Sequence, residues 1–555
     1  MRPSTRSRRT NERTEPRGPG WLAWVGFLPI LGFALFADLW APDEPRYAQV
    51  SREAWERGDF LVLHLAGEVY PDKPPLVFWL AGLCGRLAGW SGFALRIPTL
   101  LATLGSAWLA RGLARRFWGE LEASWVPFFY LSTAFLLHVG GRLQLDPALG
   151  FLCLASLSLV TNETLGERQR ALGGGLALGL ATLVKGPVAW LHVLLPILGW
   201  RWILGRKEAS DAHIPARAWI AFAVAAILPA ALWACAAAIA DPALARDLFW
   251  GQHAGRVMEG RQHAEPPWFY LAMLVPLYLP WTFVCAESLA RALADWKGAR
   301  RGGAADVGLL RAAVWFLVVL AVFSLIPVKR NLYLLPVVPA LALLVARAVA
   351  RAQRSEALRA WVVGSSACTL GVVGVLASIA LLFTGFARGR VDDAALEIVE
   401  HIGWKIPAFG LVLCVAALAA LRSRAEPRGF ALRLGLGFSL ACGIYTTGWV
   451  PEINPIKSAR GVAEFLGARA ERPREIPCIG FQPEGYRFYG RIPATRAEGF
   501  SDLERVLELE GQDFLALVDG KRWERMTEEE RRHFRVLLDR PLGGKRALVL
   551  GGAGP

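Results

Sequence analysis

Long apolar runs set the class of this chain. WLAWVGFLPILGFALFADLW (21 to 40) is nearly free of charge, and comparable runs recur at 93–110, 122–140, 145–160, 170–184, 187–203, 216–239, 268–289, 309–327, 331–349, 360–383, 406–421 and 430–449. A helix needs about 20 apolar residues to cross the hydrocarbon core, and the shortest of these runs sit near the lower limit. The pattern predicts a polytopic α-helical membrane protein with about 13 transmembrane helices, the first spanning 21–39. That first run is long for a leader and no small-x-small cleavage pattern follows it, so it reads as a retained anchor. One apolar segment is refused a span: LVFWLAGLCGRLAG (76 to 89) is short and carries Arg86. An interfacial or re-entrant helix is expected there.

The pattern changes from PEINPIKSARGVAEFLGARAERPR onward. Val462, Phe465 and Leu466 fit a short amphipathic helix, and EIPCIGF, FLALVD, FRVLLDR and RALVLGG read as strands between charged or turn-rich segments. The expected division is a basic tail (1–20), a membrane domain (21–450, with an outer loop at 40–92) and a small α/β domain (451–555). The last holds no nucleophile elbow, Walker loop or dinucleotide fingerprint, which points to a structural or acceptor-positioning role.

Composition agrees with the periodicity: 54% of residues are hydrophobic and only 20% charged, with a mean hydropathy of +0.35. The net charge of +15 would suggest nucleic acid in a soluble protein. Here the bases concentrate in short loops such as RGLARRFWGE, RAVARAQRSEALRA and LRSRAEPRGFALR, the pattern that orients a membrane protein and not one that calls for nucleic acid. Those loops and the six-arginine N-terminal tail fall on the cytoplasmic side of the thirteen-span arrangement. Residues 40–75, with seven acids against four bases, fall outside, as does everything after Val450. A bacterial inner membrane is favoured. Seven of the eight cysteines lie in apolar segments, so neither a disulfide framework nor a zinc spacing follows.

Sorted by side, the polar residues of the outer mouths converge. They are Asp43, Glu44, Arg46 and Tyr47 after the first span; Tyr70, Asp72 and Lys73 in YPDKPP; Asp146 in RLQLDP; Lys185 in LVKGP; the segment 249 to 269; and Lys329, Arg330, Asn331 and Tyr333 in PVKRNLYLLP. Each has a plainer explanation. Asp43 with Glu44, or Asp146, could serve a helix N-terminus, and Lys185 could snorkel. His253 and His263 flank Arg256 and Arg261, and with Glu259 or Glu265 they would make only a weak metal set; a divalent metal stays open. Lys329 and Arg330 on the acidic side run against the orienting trend and ask for an anion. Bases at an outer apolar cavity suit a lipid phosphate, and a carboxylate there suits proton transfer from an attacking hydroxyl.

The ordered set DEPRYAQVSREAWERGDFLV, YPDKPPLVFWL, FALRIPTLLATL, LDP, LVKGP, WGQHAGRV and KRNLYLLP resembles the C-superfamily membrane glycosyltransferases that use polyprenyl-phosphate sugars, in the branch of the aminoarabinose lipid A transferases and protein O-mannosyltransferases. INPIKSARGVAEFL and YRFYG look like that branch's C-terminal domain. The resemblance implies that Asp43 is the catalytic carboxylate that engages the acceptor hydroxyl, with Asp146 a second catalytic acid at the outer face. It implies that Lys73, Lys185, Arg256 and Tyr333 hold the donor phosphate beside Tyr70, and that Glu44 orients the loop or binds a metal. It further implies a polyprenyl (undecaprenyl) phosphate sugar as substrate, inverting transfer to lipid A or another envelope lipid or glycan, and protein as an alternative acceptor. Members of the aminoarabinose type usually carry glutamate where this chain has Asp72. A lipid or solute transporter is the rival from another class, although such proteins build midplane sites from repeats; a membrane scaffold is a third.

Overall fold

The computed structural model describes residues 20–204, 215–246, 264–301, 304–353, 355–384, 393–469 and 475–553. Helix α1 (Leu22–Phe36) leads through a short turn into α2 (Asp43–Arg57), which is amphipathic and ends at Gly58 in the left-handed conformation, as a helix C-terminus favours. A two-stranded ribbon, β1 (His64–Leu65) with β2 (Glu68–Val69), precedes α3 (Leu76–Ala88). At about 1.5 Å per residue α3 is roughly 20 Å long, short of the bilayer core, as its sequence suggested.

There follow α4 (Gly92–Trp118), α5 (Glu120–Leu131), α6 (Ala134–Val139), α7 (Leu145–Val160), α8 (Glu167–Lys185) and α9 (Val188–Gly199). Each of the thirteen apolar segments contains helix, although 122–140 and 268–289 are each broken into two. Among the described residues, seven helical stretches are long and apolar enough to cross a membrane, namely 92–118, 217–240, 307–325, 331–352, 356–383, 405–422 and 428–457, and α1, α3, α7 and 188–204 are shorter. The segment expected at 122–140 breaks between α5 and α6, where Ser132 and Thr133 turn their side chains onto the backbone.

Burial sorts these helices. Asn331–Ala352 is almost wholly enclosed, whereas Arg217–Ala240 presents Ile220, Val224, Leu232 and Ile239 outward, an apolar surface that only lipid or protein can cover. Close crossings use small residues: a Cβ on Gly410 would stand 2.4 Å from the carbonyl oxygen of Gly374, which brings two helices backbone to backbone. At the end of the bundle away from α2, Arg347 bridges Asp306 and Glu122, each at 2.6 Å.

The last apolar helix continues through a π turn (Tyr445–Trp449) to Lys457. Beyond it lies a mixed sheet of order β4-β3-β5-β7-β6, made of β3 (Ile476–Ile479), β4 (Ala494–Ala497), β5 (Leu515–Asp519), β6 (Phe534–Leu542) and β7 (Lys545–Gly552). β4, β3 and β5 run parallel, and β7 and β6 join antiparallel. Both faces are covered, so alternate residues enter different cores: Cys478, Leu517 and Val549 pack with Val462 and Leu466, while Ile479, Val518 and Leu548 pack with Leu503 and Val506. The four strands read from sequence are present. β4 was missed, because Ala-Thr-Arg-Ala offers no apolar alternation.

Candidate active site

The α1–α2 turn is fixed by one buried ion pair. Glu44, 1% exposed, receives Arg96 Nε on one carboxylate oxygen (2.8 Å) and Arg96 Nη2 on the other (2.9 Å). The backbone N–H groups of Leu143 (2.8 Å) and Trp40 (3.2 Å) also donate to it. Arg96, fully buried in α4, gives its remaining hydrogens to the carbonyls of Ala34, Ala37 and Asp38, which are the last turn and exit of α1. Such a pair is tolerable inside a protein only when every donor and acceptor is met. Here both partners are saturated. Glu44 therefore has no free oxygen for a metal or for a donor lipid, which corrects the expectation that it belongs to the donor cavity or binds metal and leaves the other role the resemblance implied, orienting the loop. Adjacent residues on a helix diverge by about 100°, so Glu44 turns inward while Asp43 stays partly exposed.

Asp43 shares its face of α2 with Arg46 and Tyr47, at i+3 and i+4. Its Oδ2 accepts from Gln144 Nε2 at 3.4 Å, and Gln144 immediately precedes α7. Burial pushes the Tyr47 phenol well above its ordinary pKa, with Asp43, Tyr70 and Asp146 adding to the effect. Tyr70 is raised too, by burial and then by Asp72. Both phenols keep their protons at neutral pH and stay neutral hydroxyls. For Arg46, burial opposes the charge, but Glu484, Tyr70 and Asp43 outweigh it and raise the pKa.

Asp146 lies in the first turn of α7, 2% exposed, and its Oδ1 is 2.5 Å from Lys185 Nζ. Lys185 is the last residue of α8, stopped by Gly186 at φ +79°, a backbone state that favours glycine. Its ammonium does not snorkel. It points inward, 5.0 Å from the Tyr333 ring. Tyr47, Asp43, Gln144, Asp146, Lys185 and Tyr333 thus form one linked set at the α2 end of the bundle.

Known proteins resemble this chain over most of its length. The family model described as dolichyl-phosphate-mannose-protein mannosyltransferase matches residues 72–233. The undecaprenyl phosphate-alpha-4-amino-4-deoxy-L-arabinose arabinosyl transferase 2 of Pseudomonas fluorescens is 32% identical over 415 residues, covering 70% of this chain and 72% of that protein. The corresponding transferase of Pseudomonas aeruginosa is 34% identical over 397 residues, 67% of each. The chain belongs to this arabinosyl transferase family. It is a lipid-phosphate-sugar-dependent membrane glycosyltransferase. The crystal structure of ArnT from Cupriavidus metallidurans bound to undecaprenyl phosphate shares the fold, with a TM-score of 0.73 at 18% identity over 97% of this chain and 99% of that one.

Lys73 donates to the carbonyl of Asp72 at 3.1 Å, close in sequence to buried Tyr70. Lys329 is buried and donates to the carbonyls of Glu265 (2.7 Å) and Pro327 (3.4 Å), so its ammonium straps two loops together, a different place from the expected anion site; Arg330 is exposed. Arg256, with His253 and His263, lies outside the described residues. Among the described residues no group of three or more His, Cys, Asp or Glu side chains could hold a metal ion.

The C-terminal domain closes on the same turn. Asn454 Oδ1 accepts from Asp38 N (3.0 Å) and Trp40 Nε1 (2.9 Å), and Tyr489 Oη accepts from Leu39 N (2.7 Å). Arg52 of α2 donates to the carbonyl of Phe488 (2.6 Å) and lies 4.0 Å from its ring. The YRFYG stretch therefore serves as the domain's contact with α2. Sequence reading missed Arg96, Gln144 and Asn454. Arg96 had a usable signal, a lone charge inside the apolar FALRIPTLLATL.

Proposed function

We propose that the protein transfers 4-amino-4-deoxy-L-arabinose from undecaprenyl phosphate to lipid A at the outer face of a bacterial inner membrane. The named activity of relatives 32% and 34% identical supports the sugar and carrier. The single observation that carries the reading is the juxtaposition of a partly exposed carboxylate, Asp43, with an inward-facing ammonium, Lys185, held by Asp146 over Tyr333. A thirteen-span topology, with the N-terminus cytoplasmic and the C-terminal domain extracytoplasmic, fits the helical segments and the loop charges. It puts this set at the outer leaflet, where a lipid headgroup can reach it.

The chemistry follows from the charges. Lys185, joined by Lys73, Arg256 and Tyr333, holds the donor phosphate, and Asp43 receives the proton of an acceptor hydroxyl. As the oxygen–anomeric carbon bond forms, the carbon–phosphate oxygen bond breaks and its electron pair leaves on undecaprenyl phosphate. Fixed cations stabilise that charge without waiting for a proton. Asp146 is a positioning residue: one of the three ammonium hydrogens of Lys185 goes to it, and two remain for phosphate.

The test is transfer in detergent from purified undecaprenyl-phosphate aminoarabinose to lipid A, with both products read by mass. A sugar added to lipid A, with release of undecaprenyl phosphate, is expected; vesicle-dependent translocation without product would sink the reading. Lys185→Met should raise donor KM about 30-fold, the equivalent of about 2 kcal/mol for a lost charged hydrogen bond. Acceptor KM should stay unchanged. An unaltered donor KM would remove Lys185 from the phosphate site.

A further inference from the structure

A cavity of about 1160 Å³ lies between the first outer loop and the C-terminal sheet. None of Asp43, Asp146, Lys185 or Tyr333 lines it. One wall is Arg46 of α2 with Glu68, Tyr70, Pro71 and Asp72. The opposite wall is built at the carboxyl ends of parallel strands β3 and β4, through Ile479, Gly480, Ala497 and Glu498, joined by Lys545 at the start of β7. Open parallel sheets bind ligands at that edge, because loops diverge there and backbone groups are left unpaired.

The charge on the domain wall is not balanced. Lys545 is already engaged by the carbonyl of Gly480 (2.5 Å) and by Asp519 (3.7 Å), which leaves Arg487, Arg496 and Arg522 against Glu484 and Glu498, and Glu484 is itself 3.7 Å from Arg46 across the cavity. Arg487 uses only its Nε, on the carbonyl of Ala494 at 2.5 Å, which leaves its terminal nitrogens. Arg496 and Arg522 are exposed side chains with no hydrogen bond or ion pair to the described residues. The second carboxylate oxygen of Glu484 is buried and has no donor among the described residues. A ligand that satisfies this wall brings acceptor oxygens to the guanidinium groups and a hydroxyl or amine donor to Glu484. A phosphate on a sugar supplies both, and fork-shaped guanidinium groups suit phosphate oxygens.

Arg46 and Tyr70 join the cavity to the reaction centre. Both line it, and both interact electrostatically with Asp43. The cavity is large enough for a phosphorylated disaccharide, and its neighbour on the α2 side is the carboxylate assigned to the acceptor hydroxyl. We propose that this crevice binds the phosphorylated sugar headgroup of the acceptor lipid, with Arg487, Arg496 and Arg522 on its phosphate and Glu484 on a hydroxyl or amine. The inference rests on the transfer reading above. It adds that the C-terminal domain selects the acceptor, while the helical bundle selects the donor.

The test is equilibrium binding to the full-length protein in detergent, run beside transfer. Three ligands are used: lipid A, lipid A stripped of its phosphates, and undecaprenyl phosphate. Arg496→Glu with Arg522→Glu should weaken lipid A binding at least tenfold, and the Arg496→Gln, Arg522→Gln pair should do so to a lesser degree. Undecaprenyl phosphate binding should not change, and stripped lipid A should bind the wild type and both variants alike. The undecaprenyl phosphate arm also reports that each variant is folded. Lipid A affinity that is unchanged in the glutamate pair overturns the crevice as acceptor site. Arginine-dependent lipid A binding without any transfer by the wild type would sink the transfer reading and keep the crevice.

Discussion

Asp43→Asn should lower kcat by about 10³-fold, within the range that a positioned general base supplies, while donor binding stays intact. The substitution keeps shape and removes charge. Asp43 has one long side-chain contact, from Gln144 at 3.4 Å, so little structure depends on its ionisation. The buried work at this turn falls to its neighbour: Glu44 holds α1, α4 and the chain before α7. Loss of turnover with an unchanged melting temperature and unchanged undecaprenyl phosphate affinity is the expected pattern. Normal turnover by the folded variant would remove Asp43 from the chemistry.

The opposite pattern is expected at Arg96→Met. Removing one partner of a buried pair leaves a charge without compensation, at a cost of about 3–5 kcal/mol. Arg96 also closes three carbonyls at the exit of α1, so the turn carrying Asp43 loses its anchor. A lowered melting temperature and lowered kcat together are predicted. Combining it with Glu44→Met removes the stranded carboxylate, so the double variant should melt above Arg96→Met alone. Additive losses, measured in a double-mutant cycle, would show that the pair does not couple.

What was legible in the sequence follows from the range of each signal. Helical segments and four strands are written in local periodicity, and all of them are present. α3 is short, as its sequence suggested, in common with α1, α7 and 188–204, and Arg86 is what sets its sequence apart. The site was legible where a polar residue sits at the end of an apolar run, as with Asp43, Asp146 and Lys185, whose convergence needed only a shared membrane face. Partner identity was not. Arg96 reaches Glu44 across 52 positions and Asn454 reaches Trp40 across 414. No periodicity encodes those distances. Of the roles expected for Glu44, orienting the loop fits its bonds to Arg96, Leu143 and Trp40; a metal or donor-cavity role does not, because consecutive helical residues point apart and turn it away from the face of Asp43.

The division of labour also explains a chain with two unlike parts. The side-chain amide of Asn454, the phenol of Tyr489 and the carbonyl of Phe488 in the C-terminal domain grip the α1–α2 turn and α2, so the acid-bearing turn is held from below by Arg96 and from above by Asn454 and Tyr489. A site shared by two lipid substrates needs such rigidity, because misplacement of either by about 1 Å costs roughly 100-fold in rate.

The most direct test is the anomeric configuration of the transferred sugar, read by NMR on the purified acceptor product. One carboxylate activating the hydroxyl against a phosphate leaving group makes a single displacement. An α-linked donor should therefore give a β-linked product. Retention of the α configuration would require a second displacement through a covalent sugar–enzyme intermediate and would contradict the account.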